Sequence, residues 1–211
     1  MPKAGAEHDS ASKDGFLFVG NQLALDFVNT RPAQNGEAVE LLPDFSTLLH
    51  WFLAADLVSS REAVRLEREW GNSPRARRAV EAMRALREKL REEILAWEDG
   101  GAVRRSTVEE LNRLMAKHPM RIRLVNGTEP STELYFEPME PEDLFAPLVH
   151  SAAMLFSSID RTRVRKCSEC VLHFHDTSKK GTRRWCSMQL CGNRQKVAAY
   201  AARQRSGTAH E

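Results

Sequence analysis

The chain has 211 residues, 42% hydrophobic and 28% charged, with a formal net charge of +2. This composition is ordinary for a globular protein and excludes a fibrous or wholly disordered chain. No run of eighteen apolar residues occurs, and the polar opening MPKAGAEHDSASKDG lacks a secretory core, so neither a membrane span nor a secretory signal is expected.

Residues 1–15 are therefore read as a disordered tail of a cytoplasmic protein. Charge is unevenly placed. Residues 1–160 carry 19 Lys/Arg and 26 Asp/Glu, a net of −7, whereas residues 161–211 carry 12 and 3, a net of +9. An acidic part joined to a basic part points to a polyanionic partner for the second.

A first domain is expected over residues 16–160. It opens on FLFVGNQLALDFVNT (16–30), an apolar segment closing on the polar Asn29, Thr30 and Arg31. On a helix, Asp26 and Asn29 lie one turn apart on one face. Two readings stay open. Asp26, Asn29 and Arg31 line a pocket for a small effector, or they form a buried polar network that ends the helix. The second is preferred, because Asn and Thr commonly terminate helices.

Pro43 and Asp44 start a helix to about Leu57, and SSREAVRLEREW (59–70) is a short charged helix. Ser73 and Pro74 are the N-cap and first position of a helix to about Glu98. Its Val80, Met83, Leu86, Leu90, Ile94 and Trp97 recur at helical steps and form a core stripe. Arg77/Glu81 and Arg84/Glu88 are spaced for charge pairs on the exposed side. Gly100-Gly101 ends it. Ser106 to Glu109 reads as a capping box for a helix to about Lys117.

RIRLVNG and STELYFEP, around Asn126-Gly127, predict a hairpin. A helix follows over about 141–160, where Pro147 predicts a kink or a late start. Nothing in residues 32–160 matches a nucleophile with a base, a phosphate loop or a metal-binding helix, so no catalytic residue is assigned.

All four cysteines lie in the basic part, spaced Cys167-x2-Cys170-x15-Cys186-x4-Cys191. In a cytoplasmic protein this pattern favours one tetrahedral Zn²⁺ with four thiolate ligands over disulfides, a redox dithiol or an iron–sulfur cluster. The fifteen-residue insert has the length of a β-hairpin that returns the second pair to the first. His173 and His175 alternate with Leu172 and Phe174 and share a face. They could replace a cysteine or form a second site, but four cysteines already complete the shell, so the histidines are expected on the exposed face of that hairpin. Asp176, Thr177 and Ser178 favour a turn, with Gly181 at its tip. Residues 192–205 are helix-compatible, and 206–211 are a second disordered tail. Lys179, Lys180, Arg183 and Arg184 on the hairpin, with Arg194 and Lys196 at the helix start, are the candidate nucleic-acid contacts.

WCSM-x2-CGNR-x-K (185–196), preceded by F-x-D-x-S (174–178), resembles the CGNR-type zinc-finger proteins. GNQLALDFVNT (20–30) resembles the opening of the ABATE domain that accompanies this finger. The resemblance implies a bacterial transcription regulator, described as stress-induced, with a DNA-binding zinc finger.

The expected fold is mainly α with a small β-hairpin: a helical N-terminal domain (16–160) plus a C-terminal treble-clef-like zinc finger (161–205). The expected partner is double-stranded DNA, with no membrane. The N-terminal domain would sense a small-molecule effector, form a homodimer, or contact the transcription machinery. One rival is a module in which the finger docks on an acidic protein. Another is an enzyme or ligand-binding protein with its pocket in the N-terminal domain and a purely structural finger.

Overall fold

The computed structural model describes residues 12–34, 37–170, 172–193 and 196–197. Most of the first expected tail and all of the second lie outside these residues, as does most of the expected C-terminal helix. Strand β1 (Ser12–Lys13) pairs antiparallel with β2 (Phe16–Leu17). Asp14 and Gly15 between them have φ of 52° and 85°, as a two-residue hairpin turn demands. Among the described residues, regular structure is already present at Ser12, inside the segment assigned to the tail.

Helix α1 (Leu23–Val28) follows, and all of its residues but Leu23 are buried. A short pair, β3 (Ala33–Gln34) and β4 (Glu37–Ala38), leads to α2 (Phe45–Ala54). Asp44 caps α2, accepting from the Thr47 N–H at 2.8 Å. Helix α3 (Ser60–Trp70) starts in a capping box between Ser59 and Glu62. Helix α4 (Pro74–Glu98) starts where Ser73 accepts from the Ala76 N–H at 3.0 Å. Every residue of the predicted α4 stripe is buried, and each large apolar side chain so buried stabilises by roughly 1.5–3 kcal/mol.

The predicted charge pairs on α4 do not form, because tertiary partners win. Arg84 lies 3.7 Å from Glu40 and donates to the Leu42 carbonyl. Arg77 donates to the Asn72 carbonyl. The fully buried Arg87 forks onto Glu40 at 2.8 and 2.5 Å and donates to the Thr30 hydroxyl at 3.0 Å.

Helix α5 (Arg105–Lys117) has no side-chain N-cap, so the capping box at Ser106 is not formed. Glu93, buried on α4, replaces it. It accepts from the Arg104 N–H at 3.1 Å, the Arg104 guanidinium and the Thr107 hydroxyl at 2.6 Å. Burial alone would raise the Glu93 pKa, but Thr107 and Arg104 hold it below the ordinary value.

Strands β5 (Arg121–Val125) and β6 (Ser131–Tyr135) form the predicted hairpin. A 3₁₀ turn (Pro141–Leu144) then leads into α6 (Phe145–Ser158). Pro147 falls in the first turn of α6, where its missing N–H costs no helical bond. The late start is thus the outcome.

The C-terminal part has a 3₁₀ turn (Arg161–Arg163), β7 (Val164–Lys166), β8 (His173–His175) and a π-helical turn (Met188–Gly192). One core cluster unites α1, α2, α4, α5 and α6. A smaller one gathers Cys167, Leu172, Phe174, Cys186 and Cys191 around Val19, a residue from the other end of the chain. The fold is mainly α with small antiparallel strand pairs, and it ends in a compact cysteine-bearing finger.

Candidate metal centre and its surroundings

The sulfurs of Cys167, Cys170, Cys186 and Cys191 all lie within 4.8 Å of one another. Cys170 and Cys186 are 3.4 Å apart, and Cys186 and Cys191 are 3.8 Å apart. A tetrahedron with Zn–S bonds of about 2.3 Å needs sulfurs about 3.8 Å apart, so the four thiols fit zinc. Their ionisation makes the same point. The Cys170 pKa falls to about 5, chiefly because Cys186 donates to it. That bond and burial push Cys186 strongly up, and burial first, then Cys170, pushes Cys191 up to about 12. A cation at the centre would favour the thiolate form of Cys170, Cys186 and Cys191 together.

The knuckle is built differently from the expected hairpin. Strand β8 pairs back onto β7, with Val164 opposite His175 and Lys166 opposite His173. The first cysteine pair is therefore the turn of the hairpin, and residues 176–185 form a loop. Asp176, fully buried, closes this loop by accepting from the Ser178 N–H at 2.9 Å and the Arg183 N–H at 2.8 Å. Burial would raise the Asp176 pKa, but these donors hold it at about 2. Gly181 turns the loop with φ of 60°, a conformation that favours glycine. The second cysteine pair sits at the π-helical turn, capped by the Ser187 hydroxyl. A knuckle, a loop and a helical turn meeting at four sulfurs make the treble-clef-like arrangement.

Strand β8 also meets α1. The Asn29 side-chain amide donates to the His173 carbonyl at 2.8 Å and accepts from the His173 N–H at 2.9 Å. One amide thus pairs with a strand residue as a neighbouring strand would. The His175 N–H donates to the Gly20 carbonyl at 2.8 Å, and the Asn21 amide donates to the His175 carbonyl at 2.9 Å. Gly20 in turn donates to the buried Asp26 carboxylate at 2.7 Å. A Cβ on Gly20 would come within 2.8 Å of the Asp26 nitrogen and 2.9 Å of its carboxylate, so only glycine fits. Burial raises the Asp26 pKa to about 7 against the Gly20 and Val19 N–H bonds.

These contacts support the network reading of the opening motif. Asp26 and Asn29 belong to a buried polar latch that seats the finger on the helical domain. Arg31 lies apart, paired with Glu88 at 3.0 Å. Asp26 borders a cavity of about 410 Å³ that also touches Phe18, Asn21 and Leu57. Arg31 borders a different cavity of about 210 Å³, and Asn29 borders neither. The three candidate pocket residues therefore share neither of these cavities. Sequence reasoning gives no role to Gly20 and Asn21, although both open the segment 20–30 that carries the family resemblance.

The histidines also depart from expectation. His173 is buried, not exposed, with its ring 3.4 Å from Glu98 at the end of α4. His175 is half-buried. Docking of β8 onto α1 and α4 turns this face inward. Among the described residues the metal-capable group contains no histidine.

The basic candidates divide. Arg183 turns inward: its guanidinium stacks 4.8 Å from the Phe174 ring and donates to the Cys186 carbonyl. Lys179, Lys180 and Lys196 are exposed. Arg184 is exposed and lies over the Trp185 ring. Arg194 is outside the described residues. Arg163 and Arg165 brace the loop, donating to the carbonyls of Asp176, Ser178 and Gly181.

No helix among the described residues is long and apolar enough to cross a membrane. Among curated proteins no match is found. A family model for ABATE, described as "Putative stress-induced transcription regulator", matches residues 21–159. A second, for the CGNR zinc finger, matches residues 163–204. The chain therefore belongs to the ABATE family and carries a CGNR zinc finger, with zinc as its cofactor.

Proposed function

We propose that this protein is a cytoplasmic DNA-binding transcription regulator that meets double-stranded DNA through its finger. The carrying observation is that exposed cations surround a rigid metal knuckle. Lys179, Lys180, Arg184 and Lys196 are exposed, and among the described residues none of them forms an ion pair. A cation on a fixed frame loses little freedom on meeting a phosphate, and such contacts supply affinity for duplex DNA. Four protein thiolates fill the zinc shell and leave no open position, which supports a structural rather than a catalytic metal.

In this reading the helical domain supplies regulation. Asn21 and Asp26 border the 410 Å³ cavity and also belong to the latch that seats β8. A small effector entering there would press on the residues that hold the finger. Selection of bound sequences from a random duplex pool tests the proposal. Enrichment of a common sequence supports it. Failure of the zinc-loaded protein to retain any duplex would overturn it and favour docking on an acidic protein.

A further inference from the structure

A cleft of about 470 Å³ lies between the end of α4 and the finger. Its wall includes Arg161, Arg165, Lys166, Arg183 and Arg184, with Glu98 as the one acid among its lining residues. The Glu98 carboxylate is largely covered and faces the His173 ring. Arg165 and Arg183 cannot swing out freely. Each is tied to a backbone carbonyl, so they give the cleft a fixed positive field that Glu98 and the buried Asp176 partly offset. Arg161, Lys166 and Arg184 are exposed, and among the described residues no carboxylate pairs with them. The Arg161 guanidinium donates to the Gly101 carbonyl at 3.4 Å. A concave surface that combines a fixed field with free cations gathers anions more strongly than a flat patch of equal charge.

We infer that this cleft is a phosphate seat, taking a backbone phosphodiester of duplex DNA between Arg161, Lys166 and Arg184. The inference rests on the DNA-binding reading but places the main contact away from the Lys179–Lys180 loop. The cleft's volume is that of roughly fifteen liquid waters, so a phosphodiester can enter with part of its hydration shell. The seat is also built by the metal site. Ser168, inside the first cysteine pair, donates its N–H to the Arg184 carbonyl at 3.1 Å. Loss of zinc should therefore dismantle the cleft.

The test compares duplex affinity across salt for zinc-loaded wild type, R161A/K166A/R184A and K179A/K180A, with zinc content checked in each. The seat predicts that the triple variant keeps zinc, loses tenfold or more in affinity, and has a salt slope shallower by about one. The loop variant should lose less. If the triple variant binds like wild type while K179A/K180A weakens, the seat is wrong and the DNA-binding reading stands. If wild type binds no duplex, that reading fails, and calorimetry with inorganic pyrophosphate decides the cleft. Binding lost in the triple variant keeps a phosphate site, and no binding to wild type removes it.

Discussion

The helical domain and the finger spend their cations in opposite ways. In the helical domain, Arg31, Arg75, Arg87, Arg91, Arg104 and Arg121 all sit against carboxylates, and several share one acid. In the finger, the ion pair formed by an arginine among the described residues is Arg165 with Asp176, at 3.8 Å. The other guanidiniums there brace carbonyls, stack on rings or face solvent. Acids interleaved with bases let a domain neutralise itself. A basic segment with few acids must use backbone carbonyls or an outside anion. The two regions differ in cohesion as well. One has a continuous apolar core, and the other has a handful of apolar residues around four thiols, too little to fold without its metal.

The largest effect follows from that second difference. Cys186→Ser should release the finger while α4 keeps its fold, since zinc binding in small fingers carries roughly 10–16 kcal/mol of apparent folding energy. Hydrogen exchange should show protection lost over residues 164–192 and kept over 80–97. Loss throughout would show that the two regions fold as one.

Next in size is Arg87→Ala. It removes the buried fork onto the part-exposed Glu40, which keeps Arg84 at 3.7 Å, and should cost about 1.5–3 kcal/mol in thermal or denaturant unfolding. Arg184→Ala, on an exposed finger cation, should change stability by no more than about 0.5 kcal/mol. Similar costs at the two sites would erase the contrast between internal and outward charge.

The latch joins the regions, and Asn29→Ala should cost about 1–3 kcal/mol by leaving the His173 backbone groups unpaired. The loss should appear as faster exchange in β8 with zinc retained. Unchanged exchange there would show that the Asn29 pairing does not hold the finger.

The pH dependence of the latch is an effect of another kind. Asp26 ionises near its ordinary value when unfolded and at about 7 when folded. The folded state then holds the extra proton between about pH 4 and 7, so this residue's contribution to stability falls as pH rises through that window. Asp26→Asn should flatten that part of the pH–stability curve. An unchanged curve would show that Asp26 titrates normally.

Local chemistry made much of this fold legible. Ser73-Pro74 and Asp44 announce helix starts through side chains that reach only two or three residues. The cysteine spacing announces the metal site in the same way. Long-range partners left no such mark. Asn29 meets His173, 144 positions away, and nothing near Asn29 says which strand its amide will match. Glu93 caps a helix from across a turn, where Ser106 looked the better candidate by spacing. The hairpin was placed between the cysteine pairs because length alone cannot show that a two-residue knuckle is already a turn. Arg183 looked like a DNA contact because a sequence shows charge but not the Phe174 ring beneath it.

The central claim is that the finger's unspent cations are there to meet DNA. The affinity of the zinc-loaded protein for duplex DNA between 50 and 200 mM salt, values chosen to span physiological strength, tests it most directly. The account predicts a straight fall of log affinity with log salt, with a slope of about −0.9 for each phosphate neutralised. Affinity that is absent, or present but indifferent to salt, would contradict it.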